Sequence, residues 1–206
     1  MNYFVTGIGT DVGKTIVSAV LAEAIQADYW KPIQCGGLEY TDTQRVKNLI
    51  SNSKTRFFDE SYCFKNPLSP HAAAKLENTE IDINNIILPQ TPNNLIVEGA
   101  GGLMVPLNSN FLMIDLIKKF ELTVILVSKN YLGSINHTLL TTEVLKLHNI
   151  PIAGIIFNGI ENKESESFIK NYTNLKIYGR VEYEDVIDKG FIKRNAEKLK
   201  SSSNSY

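Results

Sequence analysis

A lysine between glycine and threonine closes the stretch "TGIGTDVGKT", residues 6–15. Together these three types can hold phosphate. Backbone N–H groups of a glycine-bearing loop, and of the helix it feeds, point at anionic oxygens. Lys14 reaches the outer phosphates, and Thr15 offers a hydroxyl suited to Mg2+. The spacing is not the common G-x-x-x-x-G-K-[ST]: Ile8 stands where the first glycine belongs, and the nearest candidate, Gly7, lies one residue too far. The plain alternative is a glycine turn ahead of a helix. Gly-Lys-Thr between an apolar strand and a helical run favours the nucleotide reading.

Four further places carry side chains that could work beside such a loop. Lys31 ends the run "YWKPI" and is followed by "CGG" at 35–37. A lysine chosen blindly is a surface lysine, and only its place after a strand-like run near the loop raises its standing. Asp42, in "EYTDTQRVKNLI", either caps the helix that follows or stands near a metal, and the local sequence leaves both open. Glu98 closes "NLIVE" and is followed by Gly99, Ala100 and Gly101. A carboxylate at the end of a buried strand is where a nucleotide-binding enzyme places an acidic metal partner, and glycines let backbone amides come close to a phosphate or substrate. Gly133 and Ser134 open a helix in "KNYLGSINHTLLT", with free N–H groups for an anion; taken alone it reads as a capped structural helix. His71 in "LSPHAAAK" and Asn158 in "IIFNG" are softer candidates, each readable as a helix-start or turn residue.

The elements that must position these residues are legible as short apolar runs: "YFVT", "DYWKPI", "NLIVE", "TVILVS", "IAGIIFN" and "KIYGRV". They are near-continuously apolar, as expected of parallel strands covered on both faces. Helical patterns lie between them. Over 14–26 Val17, Val20, Leu21 and Ala24 share a face. Over 134–147 Ile135, Leu139, Val144 and Leu147 form a stripe, with Ser134 as N-cap. A third helix falls at 110–120. Strands alternating with helices predict a three-layer α/β fold, a parallel β-sheet flanked by helices on both faces. Ligands in such sheets sit beyond the C-terminal strand ends, where the residues above fall. Residues 51–95 read as loop-rich, and "KSSSNSY" at 200–206 as a fraying tail.

A length of 206 residues predicts one domain spanning 1–206. The net charge of −1 gives no reason to expect nucleic acid or an anionic membrane as partner. No apolar stretch approaches the ~20 residues of a membrane span. With only two cysteines, Cys35 and Cys63, and no signal-like N-terminus, a cytoplasmic protein without a disulfide framework is expected.

Read together, "YFVTG…TDVGKT", "KPIQCG", "SPH", "IVEGAGG", "LGSINH" and "FN" run in the order found in dethiobiotin synthetases, and over about residues 3–160 the chain resembles that family. The family's fold is that of the P-loop nucleoside triphosphate hydrolases, and its loop is lengthened by one residue, so Gly7 and Gly13 match it. The resemblance implies ATP- and Mg2+-dependent ring closure of 7,8-diaminopelargonate with CO2, giving dethiobiotin, ADP and phosphate. It implies catalytic work for Lys31, Lys14 and Thr10. Nucleotide contacts would come from Asp11, Val12, Gly13, Lys14, Thr15 and Ile16, from Asp42, from Glu98 with Gly99, Ala100 and Gly101, and from Asn158 at the adenine. Thr15, Asp42 and Glu98 would attend the metal. Lys31 and Cys35 would meet the diamine, and Gly133, Ser134, Ile135 and Asn136 would receive its carboxylate tail across the interface of a homodimer with a composite site. The chain departs from the family in Gly7-Ile8-Gly9-Thr10, where Gly-Thr-Asp-Thr is frequent, in Cys35, where some members have serine, and in "GRVEYED" at 179–185. The competing class is a regulatory or partitioning ATPase acting as a nucleotide switch. Many of those carry a second lysine early in the loop, and residues 7–12 contain none. A cobalamin- or CTP-type amidotransferase would need a glutaminase domain for which the chain has no room.

Overall fold

The computed structural model describes the backbone of residues 1–203 and the side chains through 201. In chain order its elements are β1 (Asn2–Gly7), α1 (Lys14–Ile25), β2 (Asp28–Trp30), β3 (Ile33–Cys35), α2 (Asp42–Leu49), β4 (Phe57–Phe58), β5 (Tyr62–Phe64), α3 (Pro70–Leu76), a 3-10 turn (Ile83–Asn85), β6 (Leu95–Glu98), α4 (Met113–Lys119), β7 (Thr123–Lys129), α5 (Ser134–Leu147), β8 (Ile152–Asn158), α6 (Lys163–Thr173), β9 (Ile177–Val181) and α7 (Lys189–Ser203). Seven strands form a sheet in the order β4-β2-β6-β1-β7-β8-β9, and every pairing in it is parallel. The alternation of each strand divides its side chains between two cores. Val5, Tyr29 and Ile96 pack with Val17 and Val20 of α1 and Phe191 and Ile192 of α7. Phe4, Trp30, Leu95 and Val97 pack on the other face with Ala73 of α3 and Leu116 of α4. Both faces are therefore dry, which is why the strands read as continuous apolar runs.

Four expectations are corrected. The run 28–33 is not one strand. Lys31 and Pro32 separate β2 from β3, and β3 joins β5 in a separate two-stranded sheet. Proline has no N–H for a ladder, and the Pro32 carbonyl instead accepts from the Ser61 and Tyr62 amides. The helix expected over 110–120 starts later, at Met113. Before it the Asn108 side chain accepts from the amides of Asn110 and Phe111 and holds a turn. The stripe expected on α5 is not its buried face: Ser134, Thr138, Thr142 and Leu145 are buried, while Leu147 is 78% exposed. Thr138 donates to the Ser134 carbonyl at 2.7 Å and pairs with the Ser128 hydroxyl at 2.9 Å. Small side chains that satisfy their own hydroxyls can pack close under the sheet. Helix α7 runs to Ser203, and the remainder of the tail expected to fray, 204–206, lies outside the described residues. Helix α1, expected to bury one face, is buried from Ile16 to Ala22, because α2 and α7 cover the sides that the sheet does not.

Candidate active site

The C-terminal ends of β1, β2, β6, β7 and β8, with the segments that leave them, converge on one cleft of about 830 Å³. β1 leads into the loop 8–13, which wraps the start of α1. Gly13 sits there with φ +91 as the N-cap, and no side chain caps the helix. A Cβ on Gly13 would stand 2.1 Å from the Asn158 amide nitrogen, and one on Gly7 would stand 2.4 Å from the Val12 side chain. Both glycines of the lengthened spacing are thus needed for close approach. The uncapped helix start leaves N–H groups facing the cleft, as an anion site requires. Lys14 curls over the loop and donates to the Gly9 carbonyl at 3.0 Å. Burial, followed by the repulsion of Lys31, pulls its ammonium below the usual lysine range although Glu98 and Asp42 oppose this.

Glu98 ends β6 with 1% exposure. Its Oε1 accepts from the Thr15 hydroxyl at 2.8 Å and from Lys31 Nζ at 3.1 Å, and its Oε2 accepts from the Tyr29 hydroxyl at 2.9 Å. Lys31 follows β2 and also pairs with Asp42. Burial acts to lower the Lys31 ammonium, but Glu98 and Asp42 on either side outweigh it and hold the group above its ordinary value. Burial likewise acts to raise Asp42, and Lys31, with smaller help from Thr15 and Arg45, more than reverses it. The cap question at Asp42 resolves locally. Thr41 is the N-cap of α2, in a reciprocal box with Gln44, which leaves the Asp42 carboxylate for Lys31.

Thr10, Asp11, Gly13, Lys14, Thr15, Ile16, Lys31, Cys35, Asp42, Glu98, Ala100, Gly101 and Asn158 all line this cleft. Val12 and Gly99 stand behind its wall. The Val12 carbonyl accepts from the Asn158 amide at 2.9 Å, and Gly99 lies against the Phe4 ring. Burial raises the Cys35 thiol to about 11, so it faces the cleft protonated. His71, hydrogen-bonded to Ser69 at 3.1 Å, is exposed in α3, beside the part of the rim formed by Ser69 and Pro70. Gly133, Ser134, Ile135 and Asn136 are not brought here. They line a second cavity, of about 950 Å³, together with Leu132, Ile160 and Phe168. Ser134 is not the N-cap either. Gly133 takes that place with φ +101, and Ser134 is the first helical residue, turned into the core.

Sequence reasoning missed Tyr29, Gln34, Arg45 and Lys129. Gln34 bridges the Gly36 carbonyl, at 2.9 Å, to the Asp42 amide, at 3.4 Å. Arg45 and Lys129 add cations to the cleft. Gln34 stands inside "KPIQCG" and could have been singled out. Arg45 lies three residues after Asp42 on α2, one helical turn on, and could have been read from that spacing. Nothing local marks Tyr29.

Thr15, Asp42 and Glu98 offer hard oxygens only: two carboxylates and a hydroxyl around a partly compensating ammonium. That donor set fits Mg2+, which takes one or two carboxylates and fills its octahedron with water and phosphate oxygens.

Residues 1–190 match the family described as AAA domain. The chain is 52% identical to the ATP-dependent dethiobiotin synthetase BioD of Christiangramia forsetii over 97% of its own length and 96% of that protein's. It is 50% identical to the protein of the same name from Cytophaga hutchinsonii, over 96% of each. Among solved structures it is similar to the septum site-determining protein MinD of Pyrococcus horikoshii complexed with Mg-ADP, at 13% identity and TM-score 0.61, covering 100% of this chain and 97% of that one. It is also similar to a ParA family ATPase of Chlorobium tepidum, at 12% identity and TM-score 0.56, covering 99% and 93%.

Proposed function

The chain belongs to the ATP-dependent dethiobiotin synthetases, with a P-loop fold and a role in biotin biosynthesis, and on that premise we propose how its own residues carry the reaction. The nucleotide's phosphates lie in the loop 8–13 against the start of α1, under Lys14. Thr15, Asp42 and Glu98 would hold Mg2+ through their oxygens, and the bound ion would neutralise charge on the phosphates. Asn158, packed against the Val12 carbonyl, flanks the base.

The substrates are 7,8-diaminopelargonate and CO2. One amine takes up CO2 and loses a proton, giving a carbamate. A carbamate oxygen attacks the γ-phosphorus, ADP leaves, and a carbamic–phosphoric anhydride results. The second amine then attacks the carbamoyl carbon, expels phosphate and closes the urea ring. The chemistry asks for placement and cations rather than for a protein nucleophile. Lys31 is the group best placed to supply a cation to the carbamate. It is 5% exposed, sits on the cleft wall and is held by two carboxylates. That observation carries the assignment. Cys35, protonated, faces the same space, and Thr10 stands at the loop's outer edge.

The carboxylate tail of the diamine needs a second anion site. The start of α5 offers N–H groups without a side-chain cap, but in another cavity. Around it Leu132 is fully exposed and Leu140, Ile160 and Phe168 are 49–72% exposed. These features support a homodimer in which the start of α5 completes the partner's site. No helix among the described residues is long and apolar enough to cross a membrane; we place the enzyme in the cytoplasm. The nucleotide-switch alternative draws only on fold likeness at 12–13% identity. The test is phosphate release from ATP with bicarbonate, with and without the diamine. Release should depend on the diamine; release indifferent to it would overturn the proposal.

A further inference from the structure

We propose that Tyr29 is a positioning residue for Glu98: its hydroxyl engages one carboxylate oxygen, so that only the other is presented to Thr15, Lys31 and the metal. The inference rests on the reading of Glu98 as a metal-side carboxylate. Tyr29 does not line the cleft and reaches the site only through Glu98.

The arrangement follows from strand register. β2 and β6 are parallel neighbours with Tyr29 opposite Ile96. Glu98 is two residues beyond Ile96, so it projects to the same face of the sheet as Tyr29. A tyrosine is long enough to span that diagonal. The ring is fully buried, and its edge packs against Phe57 with centroids 6.0 Å apart. It donates to Glu98 Oε2 at 2.9 Å. Thr15 and Lys31 both donate to Oε1, at 2.8 and 3.1 Å. The division of labour between the two oxygens is complete: one is held from behind by the core, and the other faces the chemistry.

A carboxylate without a partner on its inner oxygen would be free to turn about its Cγ–Cδ bond. It could then offer Lys31 one oxygen and Thr15 the other, or approach a cation with both. Buried carboxylate oxygens also demand donors, so the loss of the hydroxyl would pull the carboxylate toward the donors that remain. Groups that orient a ligating carboxylate in this way change metal affinity by about 10- to 100-fold when removed.

Tyr29→Phe keeps the ring and removes one oxygen. Two readouts are needed: the half-saturating Mg2+ concentration for turnover, and the affinity for Mn2+, by electron paramagnetic resonance, of the enzyme complexed with a non-hydrolysable ATP analogue. Tyr29→Phe should weaken both by about 10-fold, while turnover at saturating Mg2+ stays close to that of the wild type. Phe57→Leu, which trims a packing neighbour of the ring and leaves the Tyr29 hydroxyl on Glu98, should lower the melting temperature and leave Mn2+ affinity alone. If Tyr29→Phe binds Mn2+ as the wild type does while Glu98→Gln binds it more weakly, Tyr29 does not position Glu98. Equal losses in Tyr29→Phe and Phe57→Leu would assign the effect to packing and overturn the inference. Unchanged Mn2+ affinity in Glu98→Gln itself would instead overturn the metal reading of Glu98.

Discussion

The two cavities at the C-terminal ends of the strands are built differently. In the phosphate-loop cleft the charges are internal and matched: Lys31 is buried between Asp42 and Glu98, and the inner oxygen of Glu98 is held by Tyr29. At the start of α5 the helix N–H groups have no side-chain cap, and the surroundings are apolar and open to water, with Leu132, Ile160 and Phe168 exposed. A pre-paired electrostatic site is one a chain can build alone. An anion-binding helix start ringed by exposed hydrophobic side chains makes physical sense when a second copy covers it. On the proposal above, catalytic charge and substrate capture occupy separate cavities that meet only in a dimer.

The largest expected effect tests the matched cleft. Lys31→Ala should slow turnover by ~10²-fold or more, about 2.7 kcal/mol of barrier. The KM for ATP should change less, since Lys14 and the loop amides remain. Near-normal turnover would reduce Lys31 to a structural counter-ion. Glu98→Gln, which removes one of two carboxylates, should raise the half-saturating Mg2+ by about 10-fold; a Mg2+ titration with an unchanged midpoint and maximal rate would remove Glu98 from the metal's company.

The open cavity is tested by Asn136→Asp. Ser134 is buried, and a charge there would threaten the helix, whereas Asn136 is exposed on the first turn and lines the cavity. The added negative charge suits a helix start but repels a carboxylate, so the KM for the diamine should rise about 10-fold while the KM for ATP is unmoved. A rise in both would mean that the cavity does not serve the diamine selectively.

The smallest effect concerns what holds the open cavity's rim. Glu166 of α6 pairs with Arg180 of β9 and accepts from Asn130 and the Asn162 amide. Burial acts to raise its pKa, but these partners, Arg180 first, hold it below the usual carboxylate range. The folded-state pKa is therefore lower than the unfolded one. The stability that Glu166 contributes is present in full above the unfolded value of about 4.3 and is lost as the pH falls through the folded pKa. Melting curves of wild type and Glu166→Gln should differ most near neutral pH and converge below about pH 4. A constant gap across that range would show that ionisation of Glu166 does not matter.

Much of the cleft was legible because its signals are local. Gly-Lys-Thr, a carboxylate closing an apolar run, and a lysine after another run each declare themselves within a few residues, and the parallel sheet then brings their ends together. What was not legible depends on partners distant in the chain. The buried face of α5 could not be read from apolar spacing, because Thr138 and Thr142 are buried with their hydroxyls satisfied by backbone and Ser128. Tyr29 meets Glu98 only through the pairing of β2 with β6, across 69 residues. The split of 28–33 was signalled by Pro32, although the destination of β3, a separate sheet with β5, was not.

The central claim, that the matched cleft of one chain works with the open cavity of another, is tested most directly by mixing subunits. Lys31→Ala and Asn136→Asp are dissociated and reassociated together, and activity is read at a diamine concentration well below the KM of Asn136→Asp. Each mixed dimer would hold one site with both lesions and one with neither. Roughly half of the dimers formed at random are mixed, so the mixture should recover about a quarter of wild-type activity. Lys31→Ala mixed with Lys14→Ala, both lesions in the cleft, should recover none. If mixed dimers of the first pair form and remain as slow as their parents, the two cavities do not share a site across the interface.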